Sequence, residues 1–317
     1  MDKDKRKKIV VIGGGTGLPV ILRGLKKKEL DIIAIVTVAD DGGSSGRIRS
    51  DFNMLPPGDI RNVLISLANT EPLLEELLQY RFKKGTGLEG HNLGNLLIAA
   101  LQDITGDFVY AIKEVSRVLA VKGQVLPSTL QKVVLFAEYE DGMIVEGESN
   151  ISNIDKPIKR VYIEPRDAEP IKEALLAITE ADAIIMGPGS LYTSIIPNLL
   201  VKGLKETIVK AKGKKIFICN VMTQPGETDG YNVFDHVKAI EDHVGEHLID
   251  YIIVNDEEIS QEFIQQYYLK KALPVKISDK DLIKKYKIIS GKFLKYGTYL
   301  RHDEDKVADC ILDIINY

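Results

Sequence analysis

A Gly-rich turn near the start of the chain constrains the fold more than any other feature. The β-branched run over residues 9–12 leads directly into this turn, and the amphipathic segment LPVILRGLKK follows it. A short apolar run of this kind is typical of a buried parallel strand. Glycine lets the backbone approach a ligand closely, and the free N–H groups at the start of a helix attract an anion. The residues of the turn are Gly13, Gly14, Gly15, Thr16 and Gly17.

The glycine spacing leaves two interpretations of this turn open. Gly13 and Gly15 stand where a G-x-G-x-x-G motif has its first two glycines, but its third position is not a glycine, and no Gly-Lys-Ser/Thr follows as in a P-loop. The turn is therefore either a phosphate-binding loop or a tight connection between a strand and a helix. In an NAD-binding protein, an acidic residue about twenty residues beyond the glycines holds the ribose, and Asp40 fits that spacing.

The second apolar run, residues 32–38, ends in side chains that suit a charged ligand. Asp40 or Asp41 could bind a hydroxyl group or Mg²⁺, and Arg47 could neutralise a phosphate. A solvated acidic turn is the alternative, and both interpretations predict a loop over residues 40–47. The other candidate donors in this loop are Gly42, Gly43 and Ser44.

Two further polar segments precede helices. Asp59 can lie in or before the first turn of a helix, where the dipole favours a carboxylate. His91 and Asn95 are four residues apart and lie on one helix face if the helix includes both, while Asn92 can cap it. Each segment is either a helix cap or part of a ligand site. The ligand-site interpretation adds Arg61 and Asn62.

A second strand-to-glycine turn occurs in the later part of the chain. The run over residues 183–186 leads into Gly187 and Gly189, and the hydroxyl groups of Ser190 and Thr193 could donate to phosphate oxygens. A tight turn capped by Ser or Thr side chains explains the same residues. Polar residues after the next strand and near the end of the chain complete the candidate site. They are Asn220, Thr223 and Arg301, of which Arg301 could instead pair with Asp303.

Strands alternate with helices along most of the chain, which predicts a mostly parallel sheet with helices on both faces. We therefore predict a three-layer α/β/α Rossmann-like core in a single domain over residues 1–317. A β-hairpin and a further strand over about residues 130–165 predict a meander attached to the main sheet. Ligands in such folds bind at the carboxyl ends of strands, near a switch in strand order. The loops at Gly13, Asp40, Gly187 and Asn220 all follow strands, so we expect them to converge on one cleft.

Composition narrows the class of protein. The chain has 317 residues, of which 44% are hydrophobic and 28% charged, with a formal net charge of −4. This balance is typical of a soluble globular protein and argues against a basic surface for nucleic acid. Its two cysteines, Cys219 and Cys310, support neither a disulfide framework nor a zinc site. We expect no membrane insertion, no signal peptide and a cytoplasmic location, because no apolar run reaches the roughly 18 residues of a membrane span.

Three smaller expectations complete the local interpretation. We predict that residues 3–8 form a solvated basic tail and that residues 275–277 and 288–289 lie in late strands. His236 and His243 are seven residues apart on one helix. We predict that both are surface residues.

Five segments in this order resemble the CofD/YvcK-like family: GGGTGLP, ADDGGSSGRIR, PPGDIRN, HNLGN and GPGSLYTS. The resemblance spans nearly the whole chain and is greatest to the YvcK branch, often called gluconeogenesis factors. It implies a cytoplasmic bacterial protein with a Rossmann-like core that binds a UDP-sugar such as UDP-N-acetylglucosamine and requires no cofactor. It further implies a role in cell-wall synthesis and cell shape during growth on gluconeogenic carbon sources. A protein partner in cell-wall synthesis and a homodimer are compatible with this interpretation.

The CofD branch is similar in core but enzymatic. Its members transfer a phospholactyl group from a guanylylated donor to a deazaflavin with Mg²⁺, and the resemblance places Asp41 and Asp59 at its metal-binding positions. This sequence departs from that branch at GGSSGRIR, where CofD-type proteins carry a segment suited to the deazaflavin. A deazaflavin is therefore not the expected substrate.

Three functions remain as alternatives. In the first, a nucleotide-sugar-binding regulatory protein, the Gly-rich turn holds the pyrophosphate, Asp40 or Asp41 holds a hydroxyl group and Arg301 holds a phosphate. In the second, a transferase acting on a nucleotide-linked donor, Asp41 and Asp59 hold Mg²⁺ and an arginine stabilises the charge of the transition state. The third, an NAD-dependent oxidoreductase, rests on the turn and Asp40 alone. We favour the first and leave open whether any reaction is catalysed.

Overall fold

The structure is a computed structural model that describes residues 6–269, 271–277 and 285–317. Residues 3–5 of the predicted basic tail lie outside the described residues, and the prediction was wrong for Lys7 and Lys8, which begin the first strand. The strands are β1 (Lys7–Gly13), β2 (Leu30–Val36), β3 (Gln124–Pro127), β4 (Val134–Tyr139), β5 (Ile144–Glu146), β6 (Ile158–Glu164), β7 (Ala183–Met186), β8 (Lys214–Ile218), β9 (Tyr251–Asn255), β10 (Lys287–Gly291), β11 (Leu294–Lys295) and β12 (Arg301–His302).

The helices alternate with these strands over most of the chain. They are α1 (Leu18–Leu25), α2 (Gly43–Asp51), α3 (Gly58–Leu67), α4 (Pro72–Gln79), α5 (Leu93–Thr105), α6 (Phe108–Val118), α7 (Glu148–Ile151), α8 (Lys172–Glu180), α9 (Ile196–Leu199), α10 (Leu204–Lys210), α11 (Val233–Val244), α12 (Gln261–Tyr268) and α13 (Glu304–Asn316). A π-helical turn, Leu191–Ile195, precedes α9. No helix in the described part of the chain is both long enough and apolar enough to cross a bilayer.

Among the described residues, seven parallel strands form the main sheet in the order β10-β9-β8-β7-β1-β2-β3. The central strands consist of β-branched and other apolar residues that are buried along almost their whole length. Such runs suit a sheet that is covered on both faces. The predicted parallel α/β core is thus confirmed.

Successive strands of the chain are added to this sheet first on one side of β1 and then on the other. The chain first proceeds outward through β2 and β3, then returns to β7, on the other side of β1, and proceeds outward through β8, β9 and β10. Because crossover connections are right-handed, reversing the direction places the later helices on the opposite face of the sheet. Helices α1, α3 and α13 pack together in one group, and α8, α9 and α10 pack together in another.

The insertion differs from its prediction. Strands β4, β5 and β6 form an antiparallel sheet of their own, in the order β5-β4-β6, and are not hydrogen-bonded to the main sheet within the described residues. The strands alternate in burial, as in an antiparallel sheet with one solvated face. The prediction that the meander is attached to the main sheet was wrong, although its position along the chain was right.

Two local predictions were wrong. Residues 43–47 are not a loop but the start of α2, where Gly46 N–H donates to Gly42 O at 3.0 Å. Residues 275–277 do not form a strand: a bridge joins Pro274 to Met222, and Val275 N–H donates to Val221 O at 3.0 Å. One bridge is too short to establish a sheet ladder.

The two histidines of α11 are not surface residues. His236 is fully buried, and its Nδ1 lies 2.8 Å from Asn232 O. His243 is half-buried, and its Nε2 accepts from Val161 N–H of β6 at 2.8 Å. Both lie on the face of α11 that carries its buried apolar residues. Burial lowers the pKa of each histidine below its ordinary value.

Candidate ligand-binding site

The turns after β1 and β7 meet at the place where the chain reverses direction in the sheet. They approach so closely that a Cβ on Gly17 would lie 2.6 Å from Pro188 O. Gly15 adopts a φ of +64°, a conformation that side chains with a Cβ rarely adopt. In parallel α/β sheets this switch in strand order opens a crevice at the carboxyl ends of the strands, which is the usual ligand site.

A cleft of about 590 Å³ lies at this switch. It is bordered on one side by the turn after β1 and on the other by the turns after β7 and β8, with α12 and the β11–β12 hairpin above. The predicted site residues that line it are Gly15, Thr16, Gly17, Gly189, Ser190, Asn220, Thr223 and Arg301. Residues from four distant segments of the chain therefore meet at this cleft, but the loop at Asp40, which was expected to converge with the turns after β1, β7 and β8, does not line it.

Helix α1 points its N-terminal end at this cleft and begins at Leu18, without a side-chain cap at Gly17 and without an acidic residue in its first turn. Pro19 has no N–H group, and Val20 N–H donates to Gly17 O at 3.1 Å, so the attraction for an anion comes mainly from the helix dipole. The start of α1 is thus suited to a phosphate group.

Arg301 supplies a full positive charge at the mouth of the cleft. It is exposed in β12, and no carboxylate among the described residues lies within ion-pairing distance of it. The predicted alternative, an ion pair with Asp303, is not formed, because Asp303 caps α13 by accepting from the N–H groups of Asp305 and Lys306. Arg301 also borders two neighbouring cavities of about 510 and 170 Å³.

The wall opposite α1 is held by side-chain amides. Asn220 accepts from Gly189 N–H at 3.2 Å and donates to Gly189 O at 2.8 Å, so the turns after β7 and β8 are joined by a pair of hydrogen bonds. Ser190 Oγ donates to Gln224 Oε1 at 2.6 Å. Thr193 is buried and donates to Glu227, so its hydroxyl group faces away from the cleft.

His302 completes the lining beside Arg301. It is buried, and its Nε2 has no hydrogen-bond partner among the described residues. Burial lowers the pKa of His302 to about 4, so this side chain is neutral at physiological pH. Tyr267 from α12 also lines the cleft and accepts a hydrogen bond from Leu300 N–H at 2.8 Å.

A second polar group of residues, the carboxylate cluster, lies behind the turn after β1 and consists of Asp40, Asp41, Asp59 and Glu148. Burial, and then the charge of Asp40, raise the pKa of Asp59 to about 7, while a hydrogen bond from the Gly15 backbone opposes the shift. A Cβ on Gly14 would lie 2.5 Å from Asp59 Oδ2. The Gly-rich turn therefore separates the cleft from the carboxylate cluster.

The two predicted Mg²⁺ ligands point in different directions. Asp41 Oδ1 accepts from Ser149 N–H of α7 at 2.8 Å, whereas Asp59 faces Gly14 and Gly15. Asp40 is the carboxylate whose charge raises the pKa of Asp59. The described residues contain no group of three or more His, Cys, Asp or Glu side chains arranged to hold a metal ion. Mg²⁺ often uses only one or two carboxylates plus phosphate and water, and of the two adjacent aspartates it is Asp40 whose charge acts on Asp59.

The remaining predicted residues form a hydrogen-bonded group beside the cluster. Asn92 caps α5 by accepting from Asn95 N–H at 3.1 Å, as predicted. His91 precedes α5, so it does not lie on a helix face with Asn95, and its Nδ1 lies 3.4 Å from Ser44 Oγ. The other members and their partners are Arg61, which donates to Asn95 Oδ1 and Asn62 Oδ1, and Arg47, which donates to Glu89 O.

Three residues of these two regions gave no clear sequence signal. Glu148 comes from the insertion, and burial together with the charges of Asp40, Asp59 and Asp41 raises its pKa to about 8. Glu227 and Gln224 lie in a polar loop after β8 that resembles an ordinary surface turn in the sequence. Only the burial of Glu227, whose side chain is 3% exposed, distinguishes it.

The fold and cleft define a class of protein, a parallel α/β protein with a polar ligand cleft at the topological switch of its sheet. A family model described as 2-phospho-L-lactate transferase CofD matches residues 9–294. The chain therefore belongs to the CofD family.

Several relatives and one solved structure resemble the chain over nearly its full length. It is 52% identical over 313 residues to a gluconeogenesis factor of Bacillus subtilis strain 168, covering 98% of this chain and 99% of that protein. It is 53% identical over 312 residues to a gluconeogenesis factor of Halalkalibacterium halodurans, covering 98% and 97%. A crystal structure of a member of the UPF0052 family from Bacillus halodurans matches with a TM-score of 0.94 at 52% identity, covering 98% and 99%.

Proposed function

We propose that this protein is a cytoplasmic regulatory protein that binds a nucleotide sugar of the UDP-N-acetylglucosamine type in the cleft between β1 and β7. Binding would report nucleotide-sugar supply to a protein of cell-wall synthesis during growth on gluconeogenic carbon sources. The observation that carries the ligand assignment is the combination in one cleft of the N-terminal end of α1, the exposed Arg301, which has no ion-pair partner among the described residues, and a wall of side-chain amides.

The diphosphate is assigned to the side of the cleft formed by Gly17 and Arg301. Free N–H groups and a guanidinium are the donors that bind phosphate oxygens in proteins. Arg301 has no competing carboxylate partner among the described residues, so its charge is available to a ligand. Its place at the mouth also lets it attract an anion before binding.

The sugar or base is assigned to the amide wall on the other side. Asn220 and Gln224 offer donors and acceptors that suit hydroxyl and amide groups. A volume of about 590 Å³ lies within the range of about 300–1,000 Å³ that is usual for small-molecule sites. The regulatory part of the proposal is supported by the name gluconeogenesis factor that two relatives carry.

A Mg²⁺-dependent transferase acting on a nucleotide-linked donor is the second candidate. It is favoured by the match to the CofD family model and by the pair Asp40 and Asp59 behind the Gly-rich turn. Bound Mg²⁺ would neutralise phosphate charge in a transfer reaction. The chain's own contribution would be to hold the ion with these carboxylates and to orient the phosphates with the turn and Arg301.

The NAD-dependent alternative has little support. It requires Asp40 to reach a ribose, but Asp40 Oδ1 accepts from Gly42 N–H at 2.9 Å, and Asp40 is not among the residues that line the cleft. The same placement argues against Asp40 or Asp41 as the group that binds a sugar hydroxyl within the cleft.

Isothermal titration calorimetry with UDP-N-acetylglucosamine, with and without Mg²⁺, tests the proposal. We expect binding that does not depend on Mg²⁺ and, by chromatography of the same mixture, no product. N-acetylglucosamine alone is the matched control and should not bind, because it lacks the diphosphate. Formation of a product would favour the transferase, and absence of binding would overturn the ligand assignment.

A further inference from the structure

Behind the amide wall of the cleft lies a buried carboxylate, Glu227, whose hydrogen-bond partners among the described residues include no cation. Glu227 is 3% exposed and accepts hydrogen bonds from Gln224 Nε2 at 2.7 Å, Thr193 Oγ1 at 3.3 Å and Tyr192 N–H at 3.3 Å. An ionised carboxylate only accepts hydrogen bonds. The NH₂ group of Gln224 must therefore point toward Glu227 and away from the cleft.

The orientation of Gln224 in turn determines what Ser190 can do. With its NH₂ group on Glu227, Gln224 presents Oε1 to Ser190, whose hydroxyl group donates to it at 2.6 Å. Ser190 also lies within hydrogen-bonding reach of Glu227 itself, so its single proton is shared between Gln224 and Glu227 and only its lone pairs remain for a ligand. The expectation that Ser190 donates to a phosphate oxygen is inconsistent with this arrangement.

We propose that Glu227 is a positioning residue that determines ligand specificity through Gln224 and Ser190. While Glu227 is ionised, Ser190 accepts a hydrogen bond from an O–H or N–H group of the ligand, such as a sugar hydroxyl, an acetamido N–H or a base N–H. A phosphate oxygen is disfavoured at this position, so the diphosphate is confined to the side of Gly17 and Arg301. This inference rests on the proposed function and adds the orientation of the ligand in the cleft.

Protonation of Glu227 would reverse the direction of the hydrogen bonds that link Glu227, Gln224 and Ser190, which we call the relay. A protonated Glu227 donates to Gln224 Oε1, so the amide turns, its NH₂ group donates to Ser190 Oγ, and the Ser190 proton becomes free to point into the cleft. Burial raises the pKa of Glu227 to about 7, so both states are populated near neutral pH. The titratable groups that face it are Glu148 of α7, Tyr139 of β4 and Tyr192, together with the hydroxyl groups of Ser190 and Ser152.

A measurement on the ligand-free protein tests the relay directly. We expect the ¹⁵N NMR resonances of the Gln224 side-chain amide to titrate with a midpoint near pH 7 in the wild type and to be flat in Glu227→Gln. Thr193→Val removes a hydrogen bond that favours ionised Glu227, so the midpoint should move to higher pH, whereas the control Thr193→Ser should leave it near the wild-type value. A Gln224 amide that does not titrate in the wild type would overturn the proposal, even if Glu227→Gln fails to fold.

Binding measurements separate this inference from the proposed function. We expect the affinity for UDP-N-acetylglucosamine to fall by about fivefold to tenfold from pH 8 to pH 6, the effect of about one hydrogen bond, and to be independent of pH in Glu227→Gln. The diphosphate of a nucleotide sugar does not titrate in this range. Wild-type binding that does not vary with pH would overturn the relay and leave the proposed function in place. Absence of wild-type binding at every pH would overturn the proposed function, and the NMR titration would then decide the relay alone.

Discussion

The two sides of the Gly-rich turn after β1 differ in what they leave unpaired. On the cleft side, α1 points the positive end of its dipole at the cleft, and Arg301 has no ion-pair partner among the described residues. On the other side, Asp40, Asp41 and Asp59 are half-buried near one another, and backbone N–H groups satisfy part of each. The cleft is therefore ready to receive an anion, while the carboxylate cluster repels one unless a cation or a proton is added.

This difference assigns separate roles to neighbouring glycines. Gly17 contacts the turn after β7 and borders the cleft, whereas Gly14 contacts Asp59 and Thr37 in the cluster. A change that disturbs one side need not disturb the other. Variants of the two sides can therefore show whether the ligand uses the cleft, the cluster or both.

The largest effect is expected from Gly17→Ala. Its Cβ would lie 2.6 Å from the backbone oxygen of Pro188, so the two turns must separate. Overpacking of this kind costs about 1–3 kcal/mol, and we expect binding of UDP-N-acetylglucosamine to fall by at least ~10-fold in calorimetry. Gly14→Ala should destabilise the fold to a similar extent in denaturant unfolding but weaken binding less. Gly13→Ala is the control, because the atom nearest to its Cβ is 3.5 Å away. Equal loss of binding in all three variants would contradict the division between the two sides.

Arg301→Ala should have the next largest effect on binding. Loss of a charge-assisted contact of about 1.5–3 kcal/mol predicts roughly 10- to 100-fold weaker binding by calorimetry. Because Arg301 is exposed, the melting temperature should change by no more than about 1 °C. Arg117→Ala on α6, another exposed arginine, is the control and should leave affinity unchanged. Unaltered affinity in Arg301→Ala would contradict the assignment of the diphosphate to the mouth of the cleft.

The carboxylate cluster should make the free energy of unfolding depend on pH. The pKa values of Asp59 and Glu148 in the folded protein are raised to about 7 and about 8. The ordinary values are about 3.9 and 4.3, so the folded state holds these protons more tightly and stability declines as pH rises from about 4 to 8. Asp59→Asn and Glu148→Gln should therefore be more stable than the wild type at pH 8, by about 2 kcal/mol each in urea unfolding, with no gain at pH 4.

The surface residue Asp141 has a pKa shift opposite to that of Asp59, so its stability effect should have the opposite pH dependence. Lys156 lowers the pKa of Asp141 in the turn between β4 and β5. Its folded state therefore favours the ionised form, and Asp141→Asn should be slightly less stable than the wild type at neutral pH, with the difference disappearing as the pH falls below the folded pKa. If Asp59→Asn behaved like Asp141→Asn, the cluster would not be destabilised by its own charges.

The smallest effect on binding and stability is expected where α12 and the β11–β12 hairpin border the cleft. Tyr267→Phe removes the acceptor for Leu300 N–H, next to Arg301, and should cost about 1 kcal/mol of stability and a few-fold in affinity. The neighbouring Tyr268 is 70% exposed, so Tyr268→Phe should match the wild type in both measurements. Thermal unfolding and calorimetry of the two variants would show whether the hairpin positions Arg301.

Much of the architecture could be predicted because local patterns carry it. β-branched runs followed by glycine turns indicated the parallel strands, and the carboxyl ends of parallel strands necessarily lie at one edge of the sheet. The cleft residues of the turns after β1, β7 and β8 followed from that rule. The Asn92 cap was also predictable, because it depends on residues three positions apart.

The sequence by itself thus determined the order of the strands and turns along the chain. It also determined which polar residues follow β1, β7 and β8, where the strand order of the sheet reverses. Only the tertiary structure decided which of two adjacent aspartates faces Asp59, since neighbouring side chains point in different directions and Asp41 is held by Ser149, 108 residues away. The same holds for Glu148, Glu227 and the donor direction of Ser190. Burial and long-range hydrogen bonds set the charge and orientation of these groups, and neither quantity is encoded in the spacing of residues along the chain.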